Sequence, residues 1–338
     1  KRIKNKTQKE NLDLLLIAGR YEGCDARAED KYADEIISVG NFVTMGGDLP
    51  AMIFIESLVR LLPGIVGNVE SIEQDSFCNN LIDSAHYVNP DIWEGVKIPE
   101  VLKSGNHKQI EEWRKNNSLK RTLIDGHFNW WRNRKLSEQE KNDAKQTIPN
   151  HYCILLHNDV VMPDGQIGES SVTSIDIHDI SRSASTYGIR GAYIVTRLDA
   201  QQKLVNNFLD FWHKGRGTEA NENRAFAIKN TKCLPEIDDV LSDIEKDEGK
   251  KPICIVTSSR RNVPHENMLN YSDQSKIWKQ NRPVIFIFGT AHGISNELMK
   301  NLDYKLIPID GLEKFNFLSV RSAAAIIFDR WLGLKTTK

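Results

Sequence analysis

No run of apolar residues in this 338-residue chain approaches the ~20 needed to cross a bilayer, so no membrane-spanning helix is expected. Cysteine is scarce and scattered. Cys24, Cys78, Cys153, Cys233 and Cys254 form no CxxC pair, which argues against a metal site or a disulfide framework and for a reducing, cytoplasmic setting. An excess of one charge is missing too: 45 Lys and Arg meet 46 Asp and Glu, for a net charge of −1, so any nucleic-acid binding must rest on a local patch. No short repeat appears. A signal peptide is not visible, although the chain starts at Lys1 rather than Met, so a leader can have been removed.

What is present is an apolar fraction of 40% and a charged fraction of 27%, which fit a soluble globular protein, in a length that suits two domains. The chain is organised around Leu16 to Phe77. The apolar run Leu14–Ala18, the visible part of a strand Leu12–Ala18, ends in Gly19 and the polar Arg20-Tyr21-Glu22. A buried strand delivers polar groups to the carboxyl edge of a sheet in this way. A helix over Ala26–Ile37 with Tyr32, Ile36 and Ile37 inward comes next. A second glycine cluster, Gly40, Gly46 and Gly47, precedes a helix over Pro50–Leu62 that Pro50 can open. Residues 70–95 read as an irregular connector around Asp75. Asp75 and Arg60 are the nearest candidates for chemistry, although Asp75 by itself is as readily a cap or a surface residue.

Residues 101–135 hold nine Lys and Arg against three acids, a local +6, interleaved with Trp113, Phe128, Trp130 and Trp131. Cations for phosphates and flat rings for unstacked bases suit RNA, with Lys115, Lys120 and Arg121 as candidate contacts. A solvated helical face with core tryptophans is the competing reading. Asn106 can cap a helix over His107–Asn116 and Ser137 another short one before Pro149. From His151 a second α/β unit begins, with strands at Tyr152–Leu156, Ala192–Val195, Ile253–Thr257 and Val284–Phe288. Helices at Ile177–Tyr187 and Gln201–His213 fall between them, implying a mostly parallel sheet. Gly215–Lys232 reads as a mobile loop, and residues 236–249, with seven acids and one lysine, as a wet helix burying Val240, Leu241 and Ile244.

The wording of Ile17–Gly23, Ser38–Met52 and Val59–Phe77 resembles the bacterial TrmD-type tRNA (guanine-N1)-methyltransferases, SPOUT-class enzymes that methylate the guanosine just 3′ of the anticodon. The resemblance is strong from Leu12 to Thr122 and fainter to about residue 147. It implies that Glu22 of the GRYEG segment lies at the target guanine. Gly19, Tyr21, Ser38, Val39, Gly40, Phe42, Gly46, Gly47 and Pro50 would wrap S-adenosyl-L-methionine, and Arg60 and Asp75 would be catalytic. Ser104–His107 matches the family's SGNH. Those types suit the chemistry, since neutral guanine carries a proton on N1 that a carboxylate can remove while an arginine stabilises charge on the guanine oxygen. Phe42, Thr44 and Asn89 depart from the family's usual residues. The family also carries a long upstream stretch, so this chain reads as part of a longer protein.

In the second half, FGTAHGIS (Phe288–Ser295), IPIDG (Ile307–Gly311) and NFLSVRSAAAIIFDRW (Asn316–Trp331) in this order resemble a bacterial SPOUT family related to the ribose 2′-O-methyltransferases, from about Tyr152 to Gly333. The resemblance implies a trefoil knot holding bent S-adenosylmethionine near Thr257, Gly289, Gly293, Ile309, Leu318 and Ser319, with Arg182 as the functional arginine. His178, one turn before Arg182 on the same helical face, is either an assistant or, more readily, a satisfied surface histidine. Asp176, and Ala291-His292 after the Gly-Thr pair, depart from that pattern.

The expected architecture is therefore α/β with two SPOUT trefoil-knot modules. Residues 1–95 form the first, 96–147 a basic helical tRNA-binding domain, 148–150 a linker and 151–338 the second. The expected function is an S-adenosylmethionine-dependent tRNA methyltransferase with a second RNA methyltransferase activity, acting as a homodimer on tRNA, with Mg2+ as an optional second cofactor that has no fixed protein site. The alternatives are an RNA-binding protein with one non-catalytic module and, more weakly, a small-molecule methyltransferase.

Overall fold

The computed structural model describes residues 13–67, 75–214, 217–263 and 265–335, with positions 3 and 5 in addition. Leu12 and residues 68–74 of the aspartate-bearing segment lie outside the described residues. The chain divides into two units, Lys1–Asp83 and Ser84–Lys338.

In the first unit, α1 (Ala26–Tyr32) is capped by Asp25, whose side chain accepts from the Arg27 amide. Helix α2 (Asp48–Val59) carries Pro50 in its first turn, where the missing N–H leaves no intrahelical bond unmade. Two expectations fail. Residues 13–18 pair with no strand, and α1 stops at Tyr32 instead of Ile37. Tyr32, Ile36 and Ile37, expected inward, are exposed. The physical reason is shared: an apolar run becomes a buried strand only when a neighbouring strand and a covering layer supply partners. Ile82 is the sole buried apolar residue among the described residues of this unit.

The second unit begins with helices. The Asn106 side chain accepts from the Gln109 amide at 3.3 Å and starts α3 (His107–Leu123), which runs past the expected end at Asn116 because Leu119 and Leu123 continue its buried stripe. After α4 (Phe128–Trp131) comes α5 (Glu138–Thr147), where Ser137 and Glu140 form a reciprocal capping box. At the end of the connector expected to be irregular, Ile92–Trp93 pairs with Val96–Lys97, just past it, as a short antiparallel hairpin.

A seven-stranded parallel sheet follows: β1 (His151–Leu156), β2 (Gly191–Val195), β3 (Thr231–Leu234), β4 (Ile253–Val256), β5 (Met268–Leu269), β6 (Val284–Gly289) and β7 (Tyr304–Leu306). Their order is β3-β2-β1-β6-β4-β7-β5. Ile285 of β6 sits opposite Tyr152 of β1 on one side and Cys254 of β4 on the other. The central strands are buried from end to end, which is why they read as unbroken apolar runs. Helices α6 (Ser174–Thr186), α7 (Asp199–His213), α8 (Glu222–Ile228) and α9 (Ile237–Glu248) connect the early strands; α9 buries Val240 and Ile244 and leaves most of its acids outside. The mobile loop expected at 215–232 is a misreading of residues 217–232. They form a short helix (Gly217–Ala220), α8 with Ile228 buried, and the start of β3.

Helix α11 (Asn296–Lys300) follows β6, and helices α10 (Gln274–Trp278) and α12 (Val320–Leu332) bind the helical segment to the sheet. Phe128 meets the Trp278 ring edge-on, with centroids 4.9 Å apart. Phe128 and Trp131 are therefore core residues, not stacking platforms for bases. Buried His151 accepts hydrogen bonds at Nε2 from the indole N–H groups of Trp278 and Trp331, each at 3.1 Å. Burial lowers its pKa to about 4 and keeps the ring neutral.

Candidate functional site

In the first unit the Gly23 amide donates to the Arg20 carbonyl at 3.0 Å, closing a turn that leaves Tyr21 in the left-handed region and its ring exposed. Glu22 is exposed beside it. The Ser38 hydroxyl donates to the Gly40 carbonyl and accepts from the Gly40 amide, and Thr44 donates to the Gly46 carbonyl at 2.8 Å. These local bonds shape a loop that also carries Val39 and exposed Phe42. The loop passes close to the end of the 13–18 segment: a Cβ on Gly47 would lie 2.8 Å from that of Ala18, which is followed by Gly19. Just beyond α2, the Arg60 guanidinium donates to the Asp75 carboxylate in a close ion pair. The two residues expected to be catalytic are thus brought together. Among the described residues no ion pair joins Glu22 to them.

In the second unit a cavity of about 740 Å³ opens at the carboxyl edge of the sheet, where parallel α/β proteins bind ligands. Thr257, Gly289, Gly293, Ile309, Leu318 and Ser319 all line it. Gly289 has no room for a side chain, since a Cβ there would sit 2.5 Å from Ile294 Cγ1 and 2.8 Å from its amide nitrogen. Gly293, at φ +94°, makes the turn that follows. Ser319 caps α12 by accepting from the Ser322 amide. Asp176 also faces the cavity, held by Arg321 at 3.2 Å. Arg182 lies further along α6, is exposed and does not line the cavity. His178 stands edge-on to Phe208 and Trp212, and burial lowers its pKa.

The family model for tRNA (guanine-1)-methyltransferase TrmD matches residues 1–127, and the one for SAM-dependent RNA methyltransferase matches residues 150–333. A tRNA (guanine-N(1)-)-methyltransferase of Oleidesulfovibrio alaskensis is 37% identical over 328 residues, 95% of this chain and 75% of that one. The chain belongs to the tRNA (guanine-N1)-methyltransferase family. An uncharacterized protein of Aquifex aeolicus is 38% identical over 182 residues, 54% of this chain and 87% of its own. Among solved structures, the SpoU methyltransferase AviRb from Streptomyces viridochromogenes, in complex with AdoMet, is similar at 15% identity and a TM-score of 0.35, covering 55% of this chain and 57% of that one.

As a member of the tRNA (guanine-N1)-methyltransferase family with a second SAM-dependent RNA methyltransferase domain, the protein is an enzyme whose cofactor is S-adenosylmethionine. The cavity suits that cofactor. Ile307, Ile309 and Leu318 offer apolar surface for a flat base, and the Asn316 amide nitrogen is buried without a hydrogen-bond partner among the described residues. Sequence reading missed Asn316, Arg260 and Ser170 as cavity residues. Arg260 was within reach, because it follows β4 at the same sheet edge as Thr257. Ser170 was not: its hydroxyl bonds Thr290, 120 residues away, and stands 3.0 Å from Nδ1 of buried His157. Burial lowers His157 to about 4.

The basic segment of this family member resolves in the same way. Lys115 and Lys120 line a cleft of about 560 Å³, whereas Arg121 does not. Trp130 lies beneath the Arg134 guanidinium, 4.7 Å from its ring centroid. Among the described residues no three His, Cys, Asp or Glu side chains gather as metal ligands, and no helix is long and apolar enough to cross a membrane.

Proposed function

We propose that the first unit methylates N1 of the guanosine on the 3′ side of the tRNA anticodon, and that the second methylates a ribose 2′-hydroxyl of RNA. The observation that carries the first assignment is the Arg60–Asp75 pair. Guanine N1 must lose its proton as it gains a methyl group, and the Asp75 carboxylate accepts it. Arg60 holds that carboxylate in place and opposes negative charge growing on the guanine oxygen. Glu22, exposed on its turn, contacts the base. S-adenosylmethionine supplies an electrophilic methyl group; Gly19, Tyr21, Ser38–Gly40, Phe42, Gly46, Gly47 and Pro50 hold it in the first unit and the cavity residues in the second. At the second site Asp176 is the carboxylate placed to take the hydroxyl proton, with Arg182 turned to the RNA.

The test is transfer of labelled methyl groups to bulk tRNA, with mapping of the modified positions. Asp75→Asn is expected to cut transfer to guanine by at least ~10²-fold, the lower range for a lost general base. Near-normal transfer by this variant would sink the assignment.

The same reading takes each module as a trefoil knot. Support in the second comes from β6 lying between the earlier β1 and β4. It also makes the protein a cytoplasmic homodimer with residues 1–95, 96–147 and 151–338 as its domains. Apolar residues left bare in the first unit, among them Val43, Met45 and Ile53, support a partner surface, and the scarcity of cysteine, with no CxxC pair, supports a reducing compartment.

A further inference from the structure

The basic helices and the second methyltransferase module are built as one body. Beyond the Phe128–Trp278 contact, Arg132 is buried and its Nη1 donates to the carbonyls of Arg330 at 2.9 Å and Gly333 at 3.3 Å. The Lys335 amide returns a bond to the Arg132 carbonyl at 2.9 Å. Both carbonyls lie at the carboxyl end of α12, whereas Ser319 at its amino end lines the cofactor cavity. Thirteen helical residues separate the two ends, about 20 Å at ~1.5 Å per residue. Strand β6 repeats the spacing. Lys279 and Asn281, just before it, line the basic cleft, and Gly289 at its far end lines the cavity. Six strand residues at ~3.3 Å again span about 20 Å.

The cleft is made by both parts: Lys115, Asn116, Lys120 and Gln146 come from the helices, Lys279 and Asn281 from the module. Lys115 pairs with Asp143 at 3.4 Å and Lys279 with Asp125 at 3.6 Å, while Lys120 is exposed and makes no ion pair among the described residues. Surface pairs of this kind contribute little, so phosphates can displace them. We propose that this cleft grips tRNA for the second site, so that the second reaction also takes tRNA, held about 20 Å from the nucleotide that is methylated. The proposal rests on the reading of the second site as an RNA methyltransferase. A nucleoside or a short oligonucleotide cannot occupy both places, whereas a folded RNA can. Helix α3, which carries Lys115 and Lys120, lies within the stretch matched by the tRNA methyltransferase family model, which favours tRNA over ribosomal RNA.

The experiment uses the full chain and tRNA already methylated at N1 of the target guanosine, so that only the second site can transfer. Wild-type protein is compared with the double variant Lys120→Glu, Lys279→Glu, with KM for tRNA and the S-adenosylmethionine-induced melting shift measured for each. The expected result is methylation of the tRNA, a KM at least tenfold higher in the variant, and a retained melting shift showing that the cavity is intact. A stem-loop shorter than ~20 Å should be a poorer substrate than whole tRNA. The proposal is overturned if the variant's KM equals wild type, if the short stem-loop serves as well, or if ribosomal RNA is methylated in place of tRNA. Transfer to no RNA of any kind overturns it together with the reading on which it rests.

Discussion

Leu14–Ala18 and Tyr152–Leu156 are both apolar, strand-like runs, yet only the second is buried. In the second unit Ile154, Ile285 and Trp331 are fully enclosed. In the first, Ile17 is 75% exposed and Ile53 is 53% exposed, and the loop over residues 38–47 is shaped by hydrogen bonds of Ser38 and Thr44 instead of by a core. Motif and fold are therefore separable. Local hydrogen bonds between residues a few positions apart can pre-shape a ligand loop, but burial needs strands and layers contributed from elsewhere.

The sharpest way to break this contrast is a core deletion. Trp331→Ala should destabilise the second unit by ~3–5 kcal/mol, because it empties a large packed site and removes one donor to His151. Chemical denaturation followed by tryptophan fluorescence checks it, and a loss below ~1 kcal/mol would mean the aromatic cluster is loosely built.

Acid is the next lever, on the order of 3 kcal/mol for each of two buried histidines. His151 and His157 sit near 4 in the fold against 6.5 when unfolded, so between those values the unfolded chain binds more protons. Stability of the second unit is fully present above about pH 6.5 and is lost as pH falls toward 4. Melting curves across that window should steepen this loss in wild type and flatten it in His151→Gln. An unchanged pH slope in the variant would remove His151 from the account.

Cofactor binding separates the units by a somewhat smaller margin. A ligand specific to the folded state adds about 2.7 kcal/mol at a hundredfold excess over Kd. S-adenosylmethionine should raise the melting temperature of residues 84–338 by more than that of residues 1–83, whose described residues bury little core. Calorimetry with the preferences reversed would invert the comparison. The smallest effect is expected from Ile17→Ala, within ~0.5 kcal/mol, as for exposed positions away from any packed feature. A loss of ~2 kcal/mol or more in the full chain would show that Ile17 is covered in solution.

Much of the second unit was legible in its sequence because its determinants are local or periodic. Asn106, Ser137 and Ser319 announce their helices through bonds to amides three residues on. Doubly covered parallel strands such as HYCILL and VIFIFG read as unbroken apolar runs. The six cavity residues were named through a resemblance to a methyltransferase family, and they line one cavity. Asp75 and Arg60, fifteen residues apart, were paired by motif before geometry joined them.

Other features were decided only by tertiary structure, since they depend on groups far away in the chain. Phe128 and Trp131 look like base-stacking aromatics inside a basic segment until Trp278 and α12 cover them. Leu14–Ala18 has the composition of a buried strand, but composition cannot supply the neighbour a strand requires. Arg182 and Asp176 share a helix, and the direction of that helix alone puts the aspartate in the cavity and the arginine outside it. The sequence by itself thus determined the helix starts, the central strands and the chemistry available at each loop. Which apolar faces meet, and so which cations are left exposed, was settled by packing between segments more than a hundred residues apart, because burial is a property of pairs of surfaces and not of either one alone.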